Sequence, residues 1–247
     1  MPEREAPAGA GAMRLQVRGL TVRFGGLAAL TDVDLDVAES QVVGLIGPNG
    51  AGKTTVFNAV SGLVRTAAGT ITVAGRPAPR APQGLARAGV ARTLQGLGLF
   101  PGLSVRENVE VGVLGASDPA ARALEALDDL GIADRAALPV GALPYPEQKK
   151  VALARALVAD PRLLLLDEPA GGLGAADIAE LDAVVRRVAA TGCAVLLVEH
   201  HVDFVMSLCD RVVVLDFGRV IADGTPDAVR RDPAVTAAYL GIEVTAS

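Results

Sequence analysis

The sequence predicts an α/β protein: a parallel-sheet core, an N-terminal antiparallel β portion and an inserted α-helical block. Three observations carry this. The run QVVGLIG (41–47) is apolar nearly throughout and ends in glycine, as a strand buried on both faces does, and KTTVFNAVSGL (53–63) follows it as a helix. Beyond residue 159, apolar strands and helices alternate, the pattern of a parallel sheet with crossover helices. Between 96 and 158 that alternation stops and the pattern is helical.

The elements follow in order. Residues 1–13, MPEREAPAGAGAM, carry acids and no apolar core, so they read as a disordered tail rather than a secretory signal; Met13 offers a second start. RLQVRGLTVRF (14–24) and DVDLDV (32–37) alternate apolar and polar residues, as half-buried strands do, and GTITVAG (69–75) is a further short strand. In SVRENVEVGVL, Ser104 and Glu107 have the spacing of a capping box. In DPAARALEALDDLG, Asp118 is placed to cap, Pro119 stands at the first helical position and Gly131 ends the helix. PEQKKVALARALVAD is the third helix of the block. RLLLLDE, a helix near 176–190, CAVLLVEH, a helix from 201, RVVVLDFG and RVIADG complete the alternation. The expected division is a core of 14–95 with 159–241, a helical subdomain of 96–158, and a second tail at 242–247.

At 247 residues the chain can bury a sizeable core. No apolar run approaches the ~20 residues that span a bilayer, so a cytoplasmic protein is expected. Cys193 and Cys209 lack metal-ligand spacing and read as reduced, partly buried thiols. The net charge of −5 comes without a basic stripe, which argues against nucleic acid as a main partner.

GPNGAGKTT (47–55) matches the phosphate-loop pattern G-x-x-x-x-G-K-[ST], after a strand and before a helix as its mechanism requires. Gly47, Gly50 and Gly52 let the backbone wrap an anion. The loop Gly47, Pro48, Asn49, Gly50, Ala51 and Gly52 is expected to bind the phosphates, its N–H groups facing them with the helix N-terminus. Lys53 is placed for the β- and γ-phosphates, Thr54 for Mg²⁺ and Thr55 for the α-phosphate. The bland alternative is a glycine-rich turn with a solvated lysine.

RLLLLDEP (162–169) ends an apolar strand in two acids, at the carboxyl end where parallel sheets bind ligands. Asp167 suits Mg²⁺ held through water, and Glu168 suits the general base that polarises an attacking water. Two acids capping a turn is the alternative. AVLLVEHHV ends in Glu199, His200 and His201; a histidine there can reach a γ-phosphate, or the pair is solvated at a helix start.

With these elements in order, residues 14–241 resemble the ATP-binding subunit of an ABC transporter, a P-loop NTPase. The resemblance implies that Phe24 stacks on adenine, that Gln95 in ARTLQGLGLF touches Mg²⁺ and water and links to the membrane partner, that Asp167 and Glu168 are the metal-binding and base carboxylates, and that His200 is the switch histidine. ATP and Mg²⁺ are the implied cofactors. The implied partners are a second cassette, transmembrane permease subunits and, indirectly, a solute-binding protein, with the chain peripheral on the inner face of the membrane. RFGGLAALTDVDL, LFPGLSVRENV and GTPDAVRRDPAVTAAYLG are similar to ATPases of branched-chain amino-acid importers; urea- or amide-import and lipid-export ATPases share much of this. The stretch from Val113 to Ala123 is shorter than the importer pattern. Non-transport ABC ATPases carry paired cassettes or long coiled-coil insertions, which are not seen here.

Two departures stand out. Where the family signature reads L-S-G-G-Q, this chain has Leu143, Pro144, Tyr145, Pro146 and Glu147. The resemblance implies that this segment closes on a second cassette's ATP. Pro144 has no hydroxyl and Pro146 no N–H, although proline suits a first helical turn. Each lost charge-assisted hydrogen bond is worth ~1.5–3 kcal/mol, and Glu147 brings negative charge toward a phosphate. Gly174 stands where the family's dimer-contact loop ends in Asp or Asn. The expectation is asymmetry: an intact nucleotide site, an impaired donated signature, and a heterodimer.

Overall fold

A computed structural model describes residues 11–94 and 96–240. Residues 1–10 of the expected 1–13 tail, Gln95 and the closing residues 241–247 lie outside the described residues.

The chain begins with a long antiparallel hairpin, β1 (Met13–Phe24) and β2 (Leu27–Ala38), closed by Gly25 and Gly26 with Phe24 opposite Leu27. β1 starts within the stretch read as a tail. The central strand β3 (Val42–Ile46) leads into helix α1 (Lys53–Val60), which stops short of the predicted 63. β4 (Ala68–Val73) and the two-residue β5 (Arg76–Pro77) return to the first sheet, whose order is β2-β1-β4-β5. A short strand, β6 (Val90–Arg92), follows.

Helices α2 (Val105–Glu110), α3 (Pro119–Asp128) and α4 (Tyr145–Leu157) come next. Their ends carry the chemistry the sequence implies. Ser104 Oγ accepts the Glu107 N–H at 3.2 Å, and Glu107 Oε2 accepts the Ser104 N–H at 2.7 Å. Asp118 Oδ1 accepts the Ala121 N–H at 3.1 Å.

The alternation then resumes: β7 (Leu163–Asp167), α5 (Ala175–Ala190), β8 (Ala194–Val198), α6 (Val202–Leu208), β9 (Arg211–Asp216) and β10 (Arg219–Gly224), closed by α7 (Pro226–Arg230) and α8 (Pro233–Leu240). The second sheet runs β10-β9-β3-β8-β7-β6, parallel except for the edge strand β10.

This sheet separates two apolar cores. Leu163, Leu165, Leu196 and Leu215 face the first sheet and α1. Leu164, Leu166, Leu197 and Val214 face the helices on the other side, in one cluster with Val109, Leu127 and Val151 of α2–α4. Strands covered on both faces explain their unbroken apolar runs. The carboxyl ends of β3, β7 and β8 meet at one edge, and there the polar residues gather. Among the described residues no helix is long and apolar enough to cross a membrane.

Candidate nucleotide site

The loop after β3 bends through Gly47, Gly50 and Gly52, at φ 150°, 82° and 107°. Gly47 and Gly52 also have no room for a side chain: a Cβ on Gly47 would lie 2.1 Å from the Leu215 carbonyl oxygen, and one on Gly52 2.7 Å from Leu30 Cδ2. The loop is therefore clamped between β9 and β2. α1 opens at Lys53 with no acidic residue in its first turn and no side-chain cap on its N-terminal N–H groups, leaving a positive helix end for an anion.

Lys53 is only 6% exposed, and its Nζ donates to the carbonyls of Gly47 at 2.7 Å and Pro48 at 2.9 Å. Burial pushes its ammonium pKa down, and the nearby Glu168 carboxylate opposes that shift. Residues 49–55, Glu168 and His200 line one cleft of about 260 Å³. His200 Nε2 lies 2.9 Å from Glu168 Oε1. The structure thus brings Asn49, Gly50, Ala51, Gly52, Lys53, Thr54, Thr55, Glu168 and His200 to a single wall-to-wall site.

Glu168 stands at φ 50°, a left-handed conformation unusual for a non-glycine residue. Its N–H bonds the Val198 carbonyl at 2.9 Å, and its own carbonyl accepts from the Gly171 N–H at 3.2 Å and Lys149 Nζ at 3.1 Å. Glu199, 2% exposed, accepts the N–H groups of Ala170 at 2.6 Å, His200 at 2.9 Å and His201 at 3.2 Å. It fixes the turns bearing the carboxylate and the histidine to each other. His201 itself does not line the cleft.

Asp167 lies beside the cleft rather than in its wall. Its Oδ2 takes Arg92 Nη2 at 3.0 Å, with side chains 6% and 9% exposed. Arg92 also bonds Asn58 Oδ1 at 3.0 Å and Ser61 Oγ at 3.1 Å and lies over the Phe57 ring. One guanidinium therefore joins β7, β6 and α1 around the carboxylate expected to serve Mg²⁺. Arg92 and Lys149 carry no local signal in the sequence, because their partners Asp167 and Glu168 lie 75 and 19 residues away; Glu199 follows its strand beside the histidines, but its bond to Ala170 spans 29 residues. Thr54 and Asp167 offer hard oxygen donors, too few to hold a cation alone but fitting for Mg²⁺, which keeps waters and leans on substrate phosphates.

Phe24 lies half-exposed at the tip of the first hairpin, whose β2 strand packs Leu30 on Gly52. The signature residues lie away from this cleft. Leu143 is buried, Pro144 precedes α4, and Tyr145, Pro146 and Glu147 form its first turn. Pro146 falls where its missing N–H goes unused within the helix. Glu147 Oε2 faces Arg135 Nε at 3.4 Å, so its charge is partly met within the chain. Gly174 precedes α5, where its N–H points to Asp177 Oδ2 at 3.4 Å.

Residues 30–171 match the family model described as ABC transporter. The chain belongs to the ABC transporter ATP-binding family. Residues 219–245 match a second model, branched-chain amino acid ATP-binding cassette transporter. The chain is 39% identical to the high-affinity branched-chain amino acid transport ATP-binding protein LivG of Salmonella typhimurium, over 92% of this chain and 97% of that one. It is equally similar, at 39% and the same coverage, to the BraF protein of the same description from Pseudomonas aeruginosa. Among solved structures, the ADP conformation of MJ1267, an ATP-binding cassette of an ABC transporter, superposes with a TM-score of 0.85 at 26% identity, covering 93% of this chain and 99% of that one.

Proposed function

We propose that this cassette binds and hydrolyses ATP to drive import of branched-chain amino acids or related polar solutes. It works on the inner face of the membrane with permease subunits and a second, different cassette. The observation that carries hydrolysis is the convergence of Lys53, Glu168 and His200 on one cleft. The solute rests on the similarity of residues 219–245 and of the chain to LivG and BraF.

In this reading the loop N–H groups and Lys53 bind the triphosphate, with Lys53 turning from the Gly47 and Pro48 carbonyls to phosphate oxygens. Thr54, Asp167 and Gln95 would hold Mg²⁺, which supplies charge to the β- and γ-phosphate oxygens. Glu168 accepts a proton from water as the water oxygen attacks the γ-phosphorus and the bond to ADP breaks. His200 holds Glu168 and reads the γ-phosphate. Phe24 stacks on the adenine. Residues 96–158 act as a helical arm on the core of 14–95 and 159–241 and carry the signature to the second cassette's nucleotide.

The test replaces the chromosomal copy with Glu168→Gln and measures uptake of labelled leucine, valine and isoleucine. Loss of all three, with uptake of an unrelated solute unchanged, is expected. Unchanged leucine, valine and isoleucine uptake together with loss of another solute overturns the solute; retained ATP hydrolysis by the assembled variant overturns the role of Glu168.

A further inference from the structure

We infer that Lys149 is a positioning residue: it ties the backbone beneath Glu168 to the signature-bearing first turn of α4, so that the two move together. This rests on the reading of Glu168 as the general base.

Lys149 sits one helical turn after Tyr145. Its Nζ donates to the carbonyls of Glu168 at 3.1 Å and Pro169 at 2.6 Å, bridging from α4 to the turn after β7. The Tyr145 ring lies 5.5 Å from the same ammonium, a cation–π contact that holds it from the helix side. Tyr145 also covers Gly172: a Cβ there would lie 3.0 Å from Tyr145 Cε1, and Gly172 is at φ 75°. The first two turns of α4 therefore grip residues 168–172 at two points, one polar through Lys149 and one by packing through Tyr145.

The grip falls where it matters. Glu168 is held at φ 50°, and such a conformation persists only when its surroundings impose it. The Val198 carbonyl and the Gly171 N–H fix this turn from within the core. Lys149 fixes it from the helical arm. An ordinary surface lysine keeps its ammonium in water; this one gives up hydration, which lowers its pKa, against the opposing fields of Glu199 and Glu168. The segment meant to meet a second cassette's nucleotide is thereby bolted to this chain's own general base. Displacing the signature turn displaces the Glu168 carbonyl, so the state of one site reaches the other through a single side chain and the ring beneath it.

The experiment compares Lys149→Met and Lys149→Arg in the assembled transporter, with Glu168→Gln as control. Lys149→Met is expected to lower kcat by about 10–100-fold with KM for ATP little changed, as a displaced catalytic group does. Lys149→Arg, which can still donate to both carbonyls, restores most of it. Hydrogen exchange of the Ala170 and Gly171 amides in the nucleotide-free chain is expected to be about 10-fold faster in Lys149→Met and near the parent rate in Lys149→Arg. Unchanged kcat in Lys149→Met, or unchanged exchange there, overturns the inference. So does a loss that Lys149→Arg fails to rescue while the Tm of both variants falls equally. Should the parent transporter fail to hydrolyse ATP, the functional reading fails instead, and the exchange data still decide whether Lys149 holds the turn.

Discussion

Arg92 and Asp167 form an ion pair almost sealed from solvent, with the guanidinium also spent on Asn58 and Ser61. Removing one partner strands a buried charge. Arg92→Leu is therefore expected to cost about 3–5 kcal/mol of stability in urea unfolding, and the double variant Arg92→Leu with Asp167→Leu distinctly less. An Arg92→Leu chain as stable as its parent would sink this account. Lys53 behaves oppositely. Its ammonium bonds carbonyls of its own loop and pays a desolvation cost, so Lys53→Met should leave the fold intact while weakening ATP binding by about 10–100-fold in a fluorescent-nucleotide titration. The contrast explains what could be read in advance. Lys53, Thr54, Asp167, Glu168 and His200 announce themselves because their chemistry demands a local spacing next to a strand end. Arg92 finds Asp167 75 residues away, and Lys149 finds Glu168 19 residues away across a turn, so no window of sequence contains either pairing.

Strands buried on both faces were legible because every residue must be apolar, and helix starts because Ser104 and Asp118 satisfy N–H groups through nearby side chains. β5 and β6 were not: two and three residues are too few to show a period, and β6 exists because β7 offers it a parallel edge. Packing between β3 and α6 gives a sharper test. A Cβ on Gly44 would lie 2.6 Å from Val205 Cγ1 and 3.0 Å from Cys209 Sγ, so Gly44→Val is expected to cost about 1–3 kcal/mol or more through overpacking. The same burial holds the thiols protonated: Cys193 is pushed up to about 11 and Cys209 to about 12 from an ordinary 9.0. Below pH 9.0 both folded and unfolded chains keep these protons. Between there and the raised values only the unfolded chain releases them, so stability falls as pH rises through this window. Thermal melting from pH 8 to pH 11 would follow this, and neither thiol should react with a disulfide reagent in the native chain at pH 8.

The cleft and the signature turn lie on different parts of the fold, and the sequence has treated them differently. The cleft keeps Lys53, Glu168 and His200 together. The first turn of α4 keeps its helix, its grip on Gly172 and a Glu147 partly neutralised by Arg135, yet offers Pro144 and Pro146 where the family pattern has a hydroxyl and an N–H. On the proposed pairing, each missing charge-assisted bond would cost ~1.5–3 kcal/mol, about 10–100-fold in the affinity of closure on a second cassette's nucleotide. Two copies of this chain would suffer that loss twice. A pair with a cassette of unimpaired signature would suffer it once, leaving this chain's own ATP properly enclosed. Glu168→Gln, which on the proposed role of Glu168 as general base stops hydrolysis and so accumulates any closed state, is the form in which to look. Gel filtration with Mg-ATP is expected to show the variant as a monomer alone and as a dimer only when the second cassette is added. A dimer of the variant alone would mean that Pro146 does not prevent closure; Pro146→Gly would then leave the elution unchanged, and the asymmetry would have to be abandoned.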